Sequence, residues 1–65
     1  MKLLLNGAPI NAQATTLADL LVAEGFGGAK VATAVNGTFV PAPERADYAL
    51  SAGDAVEVLA PMQGG

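Results

Sequence analysis

The chain has 65 residues, with three basic and six acidic side chains and a formal net charge of −3 at pH 7. A chain of this length forms one small domain, and an acidic one gains little from the counterion release that drives nucleic-acid binding. It contains no cysteine and no histidine, which excludes disulfides and thiolate or imidazole metal ligands and argues against self-contained catalysis.

The sequence is apolar enough to fold but has no long apolar segment. Hydrophobic residues make up 52% of the chain, whereas disordered chains have low hydrophobicity. The longest uninterrupted apolar runs, 3–5 and 20–23, are far shorter than the ~20 residues of a membrane-spanning helix. The N-terminus also lacks the apolar stretch of an export signal, so we expect a cytoplasmic protein without membrane contact.

Two short apolar runs flank Asn6-Gly7 near the N-terminus. Asn-Gly is the strongest short signal for a β-hairpin, because both residues tolerate the positive φ of a type I′ turn. With these two residues in the turn, Leu3 lies opposite Ile10. Pro9 lacks an amide proton for the ladder, so we expect the second strand to be an edge strand or to point that position outward.

A short helix is predicted to follow the hairpin. Thr16 precedes it as an N-cap whose side chain can accept a hydrogen bond from a first-turn amide. Leu17, Leu20 and Leu21 repeat with helical spacing, and Gly25 can adopt the left-handed conformation that ends many helices. The pattern therefore predicts an amphipathic helix with one apolar stripe.

A second hairpin is predicted where Asn36-Gly37 repeats the turn signal between 31–35 and 38–40. Both flanking runs are rich in β-branched residues, which are typical of strands. The polar stretch 44–47 that follows is expected to form a single helical turn.

The last strand is predicted over 55–60, where Val56 and Val58 alternate with Glu57. This period of two indicates a strand with one buried face. The five residues 61–65 have no periodicity and no capping partner, so we expect a flexible tail.

These elements predict an α+β protein in which the helix covers one face of a mixed sheet, since it alone has a free apolar stripe. If the last strand lies beside the first, both are central and parallel. This is the β-grasp (ubiquitin-like) layout, with four to five strands in a domain over 1–60 and a tail over 61–65. The side chains expected in the core are Leu3, Leu5, Ile10, Leu17, Leu20, Leu21, Leu50, Val56 and Val58.

The same alternation predicts which side chains face away from the helix. Leu4 and Leu59 are expected to point to the uncovered face of the sheet. We expect them to lie together on neighbouring strands as a partner-docking face that leads to Met62. The alternative is that they are ordinary scattered surface leucines. Phe39 and Tyr48 are expected to be packing residues.

No group of side chains in the sequence is arranged for catalysis. The six carboxylates are spread along the chain without a pair at a spacing suited to acid–base chemistry. We expect them on the solvated surface, where they can steer the protein toward basic partners. The sequence therefore predicts no catalytic residue and no metal site.

The order of these features resembles the ThiS family, the ubiquitin-like sulfur carriers of thiamine biosynthesis. The resemblance covers essentially the whole chain and rests on the order of the motifs, since each motif alone is common. The matching motifs are the Asn6-Gly7 hairpin, the helix with Thr16, Leu17, Leu20 and Leu21, the turn 34–37, the segment 50–58 and the terminal Gly64-Gly65.

The resemblance implies a carrier that is not itself an enzyme. A ThiF-like enzyme would use ATP to adenylate the Gly65 carboxylate, and a sulfur donor protein would convert it to a thiocarboxylate. The sulfur would then pass to a ThiG-like thiazole synthase. Gly64, Gln63 and Met62 would enter the partner's active site, and the carrier would hold no cofactor of its own.

Three other functions fit the same pattern. A MoaD-like carrier for molybdopterin synthesis shares the fold and the Gly64-Gly65 ending. A non-covalent β-grasp interaction module would use only its sheet face, and a protein-conjugating modifier would end in an isopeptide bond. Deleting Gly64-Gly65 separates the carrier from the interaction module, because only the carrier needs those residues.

Overall fold

The computed structural model describes residues 1–60. Within this range the chain forms five strands, an α-helix and a 3₁₀ helix. In chain order these are β1 (Lys2–Leu5), β2 (Ala8–Asn11), α1 (Leu17–Ala23), β3 (Ala32–Val35), β4 (Thr38–Val40), the 3₁₀ helix (Ala42–Asp47) and β5 (Ala55–Leu59). The predicted tail, 61–65, lies outside the described residues.

The five strands form one mixed sheet in the order β2-β1-β5-β3-β4. β1 and β5 are parallel neighbours, and the other pairings are antiparallel. Leu3 lies opposite Ile10, which confirms the predicted register of the first hairpin. β2 is an edge strand, as the presence of Pro9 predicted. The β-grasp prediction is therefore confirmed, with β5 at the centre of the sheet.

Both hairpins turn on their Asn-Gly pairs. Asn6 and Asn36 have φ of 50° and 52°, and each following glycine, Gly7 and Gly37, has φ of 84°. Two successive residues with positive φ are the signature of a type I′ turn, whose twist matches that of the flanking strands.

The helix starts and ends where the sequence predicted. Thr16 is the N-cap, and its Oγ1 accepts a hydrogen bond from the Asp19 amide at 3.2 Å. After the last helical residue, Gly25 has φ of 89°, a conformation that glycine adopts without a steric cost. The helix is therefore limited to seven residues by local signals at both of its ends.

The core lies between α1 and one face of the sheet. Its buried members are Leu3, Ala12, Leu17, Leu20, Leu21, Val35, Val40, Leu50, Val56 and Val58. Leu5 and Ile10, which were also predicted to belong to the core, are partly buried and pack against it. Leu5 is the last residue of β1, and Ile10 lies on the edge strand, where fewer neighbours cover a side chain.

A buried polar contact holds the 3₁₀ helix against the sheet. Thr33 donates from Oγ1 to the Val40 carbonyl at 2.8 Å and accepts from Nε of Arg45 at 2.9 Å. Arg45 also donates to the Val31 carbonyl at 2.6 Å. The buried hydroxyl is thus fully satisfied, as buried polar groups must be to avoid a desolvation cost.

The segment after the 3₁₀ helix fixes the start of α1. The Leu17 amide donates to the Tyr48 carbonyl at 3.0 Å, and the Leu50 amide donates to the Thr15 carbonyl at 2.9 Å. Tyr48 is partly buried against the core, in agreement with its predicted packing role.

The Leu20→Ala substitution tests the helix–sheet core. Leu20 is completely buried, and truncating such a leucine costs about 2–5 kcal/mol, comparable to the ~3–5 kcal/mol that a core of this size supplies. We therefore expect the variant to be largely unfolded at 25 °C even without denaturant. Denaturant titrations monitored by circular dichroism would measure this.

Val22→Ala is the matched control, because Val22 lies on the same helix but is 68% exposed. Alanine also has the higher helix propensity, so we expect its free energy of unfolding to change by less than about 0.5 kcal/mol. Equal losses in the two variants would contradict the packing described here.

Candidate functional site

β5 leads to the carboxyl-terminal residues from the centre of the sheet. Val56 and Val58 point into the core, and Leu59 points to the opposite face and is the last residue of the strand. Only Ala60 separates the strand from the predicted tail. The predicted site residues Met62, Gln63, Gly64 and Gly65 lie outside the described residues, and their roles stay predictions.

The start of β5 is fastened by the side chain of Asn36. Its Oδ1 accepts from the Ala55 amide at 2.9 Å, and its Nδ2 donates to Oδ1 of Asp54 at 3.0 Å. Its own backbone amide donates to the Ala55 carbonyl at 2.8 Å. The turn of the second hairpin thereby holds the residues at which β5 begins.

The carboxyl end of β5 is fastened by the corresponding residue of the first hairpin. Oδ1 of Asn6 accepts from the Val58 amide at 2.8 Å, and Nδ2 of Asn6 donates to the Val58 carbonyl at 3.2 Å. The Asn-Gly pair predicts only a turn conformation for Asn6. No local sequence signal reveals this contact, because its partner lies 52 residues away in the chain.

The face of the sheet opposite α1 carries exposed apolar side chains. Phe39 and Leu59 are 64% and 67% exposed, and Leu4 is 39% exposed. The expectation that Phe39 packs within the protein is wrong, because its neighbour Val40 takes the inward position on β4 and side chains alternate along a strand. Phe39 is thus the largest side chain on this face, and the sequence pattern did not predict it there.

Leu4 and Leu59 share the open face but do not lie together, which corrects the prediction. Leu4 is opposite Ala55 at the start of β5, whereas Leu59 is opposite Ala32 on β3. Position 55, opposite Leu4, and position 59 are four residues apart along β5, a distance of about 13 Å. The parallel register causes this, since β1 runs beside only the first part of β5.

Further apolar side chains share with Leu59 the half of the face formed by β3, β4 and β5. We define the open-face patch as Ala32, Ala34, Phe39 and Leu59, with Glu57 as its charged member. Ala34 lies between Phe39 and Glu57, and Ala32 lies opposite Leu59. Because alanine side chains are small, the surface over β3 forms a shallow depression between the large exposed side chains of Phe39 and Leu59. Exposed apolar groups of this kind are typical of protein-binding surfaces.

The remaining surface features of residues 1–60 are plain. No enclosed pocket is found in this part of the chain. Among the same residues, no three histidine, cysteine, aspartate or glutamate side chains are grouped so that they could hold a metal ion. None of the helices that the structure describes has the length and apolar character needed to cross a bilayer.

Comparison with known proteins agrees with the fold. The model of the ThiS family matches residues 3–65. The crystal structure of the thiamine biosynthesis protein (ThiS) from Geobacter metallireducens is similar with a TM-score of 0.85 and 30% sequence identity, covering 100% of both chains. No curated protein matches the sequence significantly. The chain therefore belongs to the ThiS family, the small sulfur carrier proteins of thiamine biosynthesis.

Proposed function

We propose that this chain carries sulfur as a thiocarboxylate on Gly65 and donates it to thiazole formation. The observation that carries the proposal is the family match through residue 65, which includes Gly64-Gly65. The likeness to a ThiS structure over the full length of both chains supports it. We also propose a cytoplasmic location, because the route needs ATP and a thiol that reduces an S–S bond, and the cytoplasm keeps thiols reduced.

The proposed chemistry starts from a poor electrophile. A terminal carboxylate is ionised at neutral pH and does not react with sulfur nucleophiles. A ThiF-like partner would let a carboxylate oxygen of Gly65 attack the α-phosphorus of ATP, which releases pyrophosphate and forms an acyl-adenylate. The terminal sulfur of a persulfide on the donor protein then displaces AMP. A thiol reduces the resulting S–S bond, which leaves the thiocarboxylate on Gly65.

Glycine suits the last two positions for a steric reason. Without a Cβ, Gly64 and Gly65 can enter a narrow channel with backbone angles that other residues disfavour. The five residues 61–65 span at most roughly 17 Å when fully extended. This reach is sufficient to bring the terminal carboxylate from the surface of a partner to a recessed catalytic centre.

The open-face patch is the proposed docking surface for the adenylating partner. Phe39 and Leu59 offer large apolar side chains of the type that anchor interfaces. Leu59 also ends the strand that leads to the tail, so a partner bound there would hold the point from which the tail departs. Leu4 lies on the same face about 13 Å away and would contact the edge of the partner.

Charge assists the same encounter. The chain has a net charge of −3, and the side chain of Glu57 lies beside the apolar members of the patch. A basic residue on the partner would pair with Glu57 and set the orientation of docking. The same docking surface would serve the later transfer to a ThiG-like thiazole synthase, with ATP bound by the adenylating partner and not by the carrier.

A size series at residue 64 tests the role of the tail. We expect Gly64→Ala to reduce the adenylation rate and Gly64→Val to abolish it. The reason is that a larger side chain at position 64 would clash with the walls of the partner's narrow channel. The measurement is pyrophosphate release from ATP by a ThiF-like enzyme, with the unfolding midpoint of each variant as the control for folding. Unchanged pyrophosphate release with Gly64→Val would overturn the proposed role.

Glutamate substitutions test the open-face patch. We expect Phe39→Glu and Leu59→Glu to weaken binding to the ThiF-like partner at least tenfold, since a charge would be buried in an apolar interface. The smaller contact of Leu4 predicts a weaker effect of Leu4→Glu. Dissociation constants from calorimetry would measure these differences.

Val22→Glu is the matched control for this series. Val22 is 68% exposed, like Phe39 and Leu59, but it lies on α1 and therefore on the other side of the molecule. Val22→Glu adds the same negative charge as the patch variants. Any effect of net charge alone on the affinity is therefore the same in all of them. Equal affinities for Leu59→Glu and Val22→Glu would show that the partner does not bind the open face.

A further inference from the structure

The side chain of Asn6 takes the place of a strand residue. β1 ends at Leu5, and the backbone then reverses through Gly7 into β2. The Asn6 amide still donates to the Val56 carbonyl at 2.8 Å. Beyond it, the side-chain amide accepts from the Val58 amide at 2.8 Å and donates to the Val58 carbonyl at 3.2 Å. A primary amide offers one acceptor and a donor, as a peptide group does.

The side-chain hydrogen bonds of Asn6 matter because β5 extends further along the sheet than β1 does. Backbone pairing with β1 extends only to Val56, and the strand continues to Leu59. Without Asn6, the backbone groups of Val58 would lose these partners on the β1 side. The contact is partly buried, and a hydrogen bond sheltered from water is costly to break. The first hairpin turn therefore holds the last part of the strand that leads to the tail.

We propose that Asn6 is a positioning residue for the carrier reaction. By fixing Val58, its side chain fixes the direction in which the chain leaves the sheet. When a partner is docked, the carboxyl-terminal residues would then always start from the same position relative to its active site. This inference rests on the proposed function, and it adds a residue whose side-chain hydrogen bonds go to Val58, outside the open-face patch.

Comparison with Asn36 distinguishes the positioning role of Asn6 from the turn conformation that both asparagines adopt. Asn6 and Asn36 have nearly the same φ, precede glycine, and use their side-chain amides to hold β5. Asn36 acts at the start of the strand, on Asp54 and Ala55. A purely structural role predicts similar consequences for the loss of either side chain. A positioning role predicts that only the loss at the carboxyl end affects catalysis by the partner.

The Asn6→Gly and Asn36→Gly variants make the comparison. Glycine keeps the positive φ of each turn without strain and removes only the side-chain hydrogen bonds. Hydrogen exchange of the Val58 amide, taken relative to the amides of α1, is the first readout. We expect exchange about tenfold faster in Asn6→Gly, from the loss of two hydrogen bonds, and within about twofold of the parent in Asn36→Gly.

The second readout is adenylation by a ThiF-like enzyme. We expect kcat to fall about tenfold in Asn6→Gly with KM within about twofold, because the open-face patch that binds the partner keeps its side chains. Asn36→Gly should keep the parental kcat and KM. Asn6→Asp is a second variant of similar size, in which one carboxylate oxygen would face the Val58 carbonyl and repel it. We expect it to behave as Asn6→Gly does.

Each contrary outcome has a distinct meaning. Unchanged exchange at Val58 in Asn6→Gly overturns the structural premise, whether or not any partner modifies the chain. Equal losses of kcat in the Asn6→Gly and Asn36→Gly variants overturn the positioning role and indicate a general loss of stability. Failure of an active partner to adenylate the parent chain overturns the proposed function itself, and the positioning role with it.

Discussion

Parallel pairing between β1 and β5 joins the two ends of the domain. The Leu4 amide donates to the Asp54 carbonyl at 2.9 Å, and the Gly53 amide donates to the Lys2 carbonyl at 2.7 Å. β1–β2 and β3–β4 are local hairpins, and β5 is the strand that connects them into one sheet. Because loop closure over some fifty residues costs entropy, this pairing must be supported by burial of Val56 under the helix.

The single helix divides the sheet into a covered face and an open one. A seven-residue helix can bury one side of five short strands, and the core accordingly lies on that side. The other side retains Phe39 and Leu59 as exposed apolar groups. The same central strand thus supplies Val58 to the core and Leu59 to the open-face patch. It is also the strand that the predicted tail follows in the chain.

Local sequence signals predicted both hairpins, the N-cap at Thr16 and the inward positions of β5, because each depends on residues within a few positions of one another. The arrangement across strands could not be predicted in the same way. The separation of Leu4 from Leu59 follows from the parallel register, which no single segment encodes. The contact between Asn6 and Val58 depends on that register too, so a turn signal alone could not reveal it.

The central claim is that Gly65 carries the sulfur, and the intact mass of the protein measures this directly. The untagged chain would be incubated with ATP, a ThiF-like enzyme and a persulfide donor. Our interpretation predicts a mass gain equal to the replacement of one oxygen by one sulfur, located at Gly65 by fragmentation. An unchanged mass, with an enzyme that is active on another carrier, would contradict it and favour the MoaD-like carrier or the non-covalent interaction module.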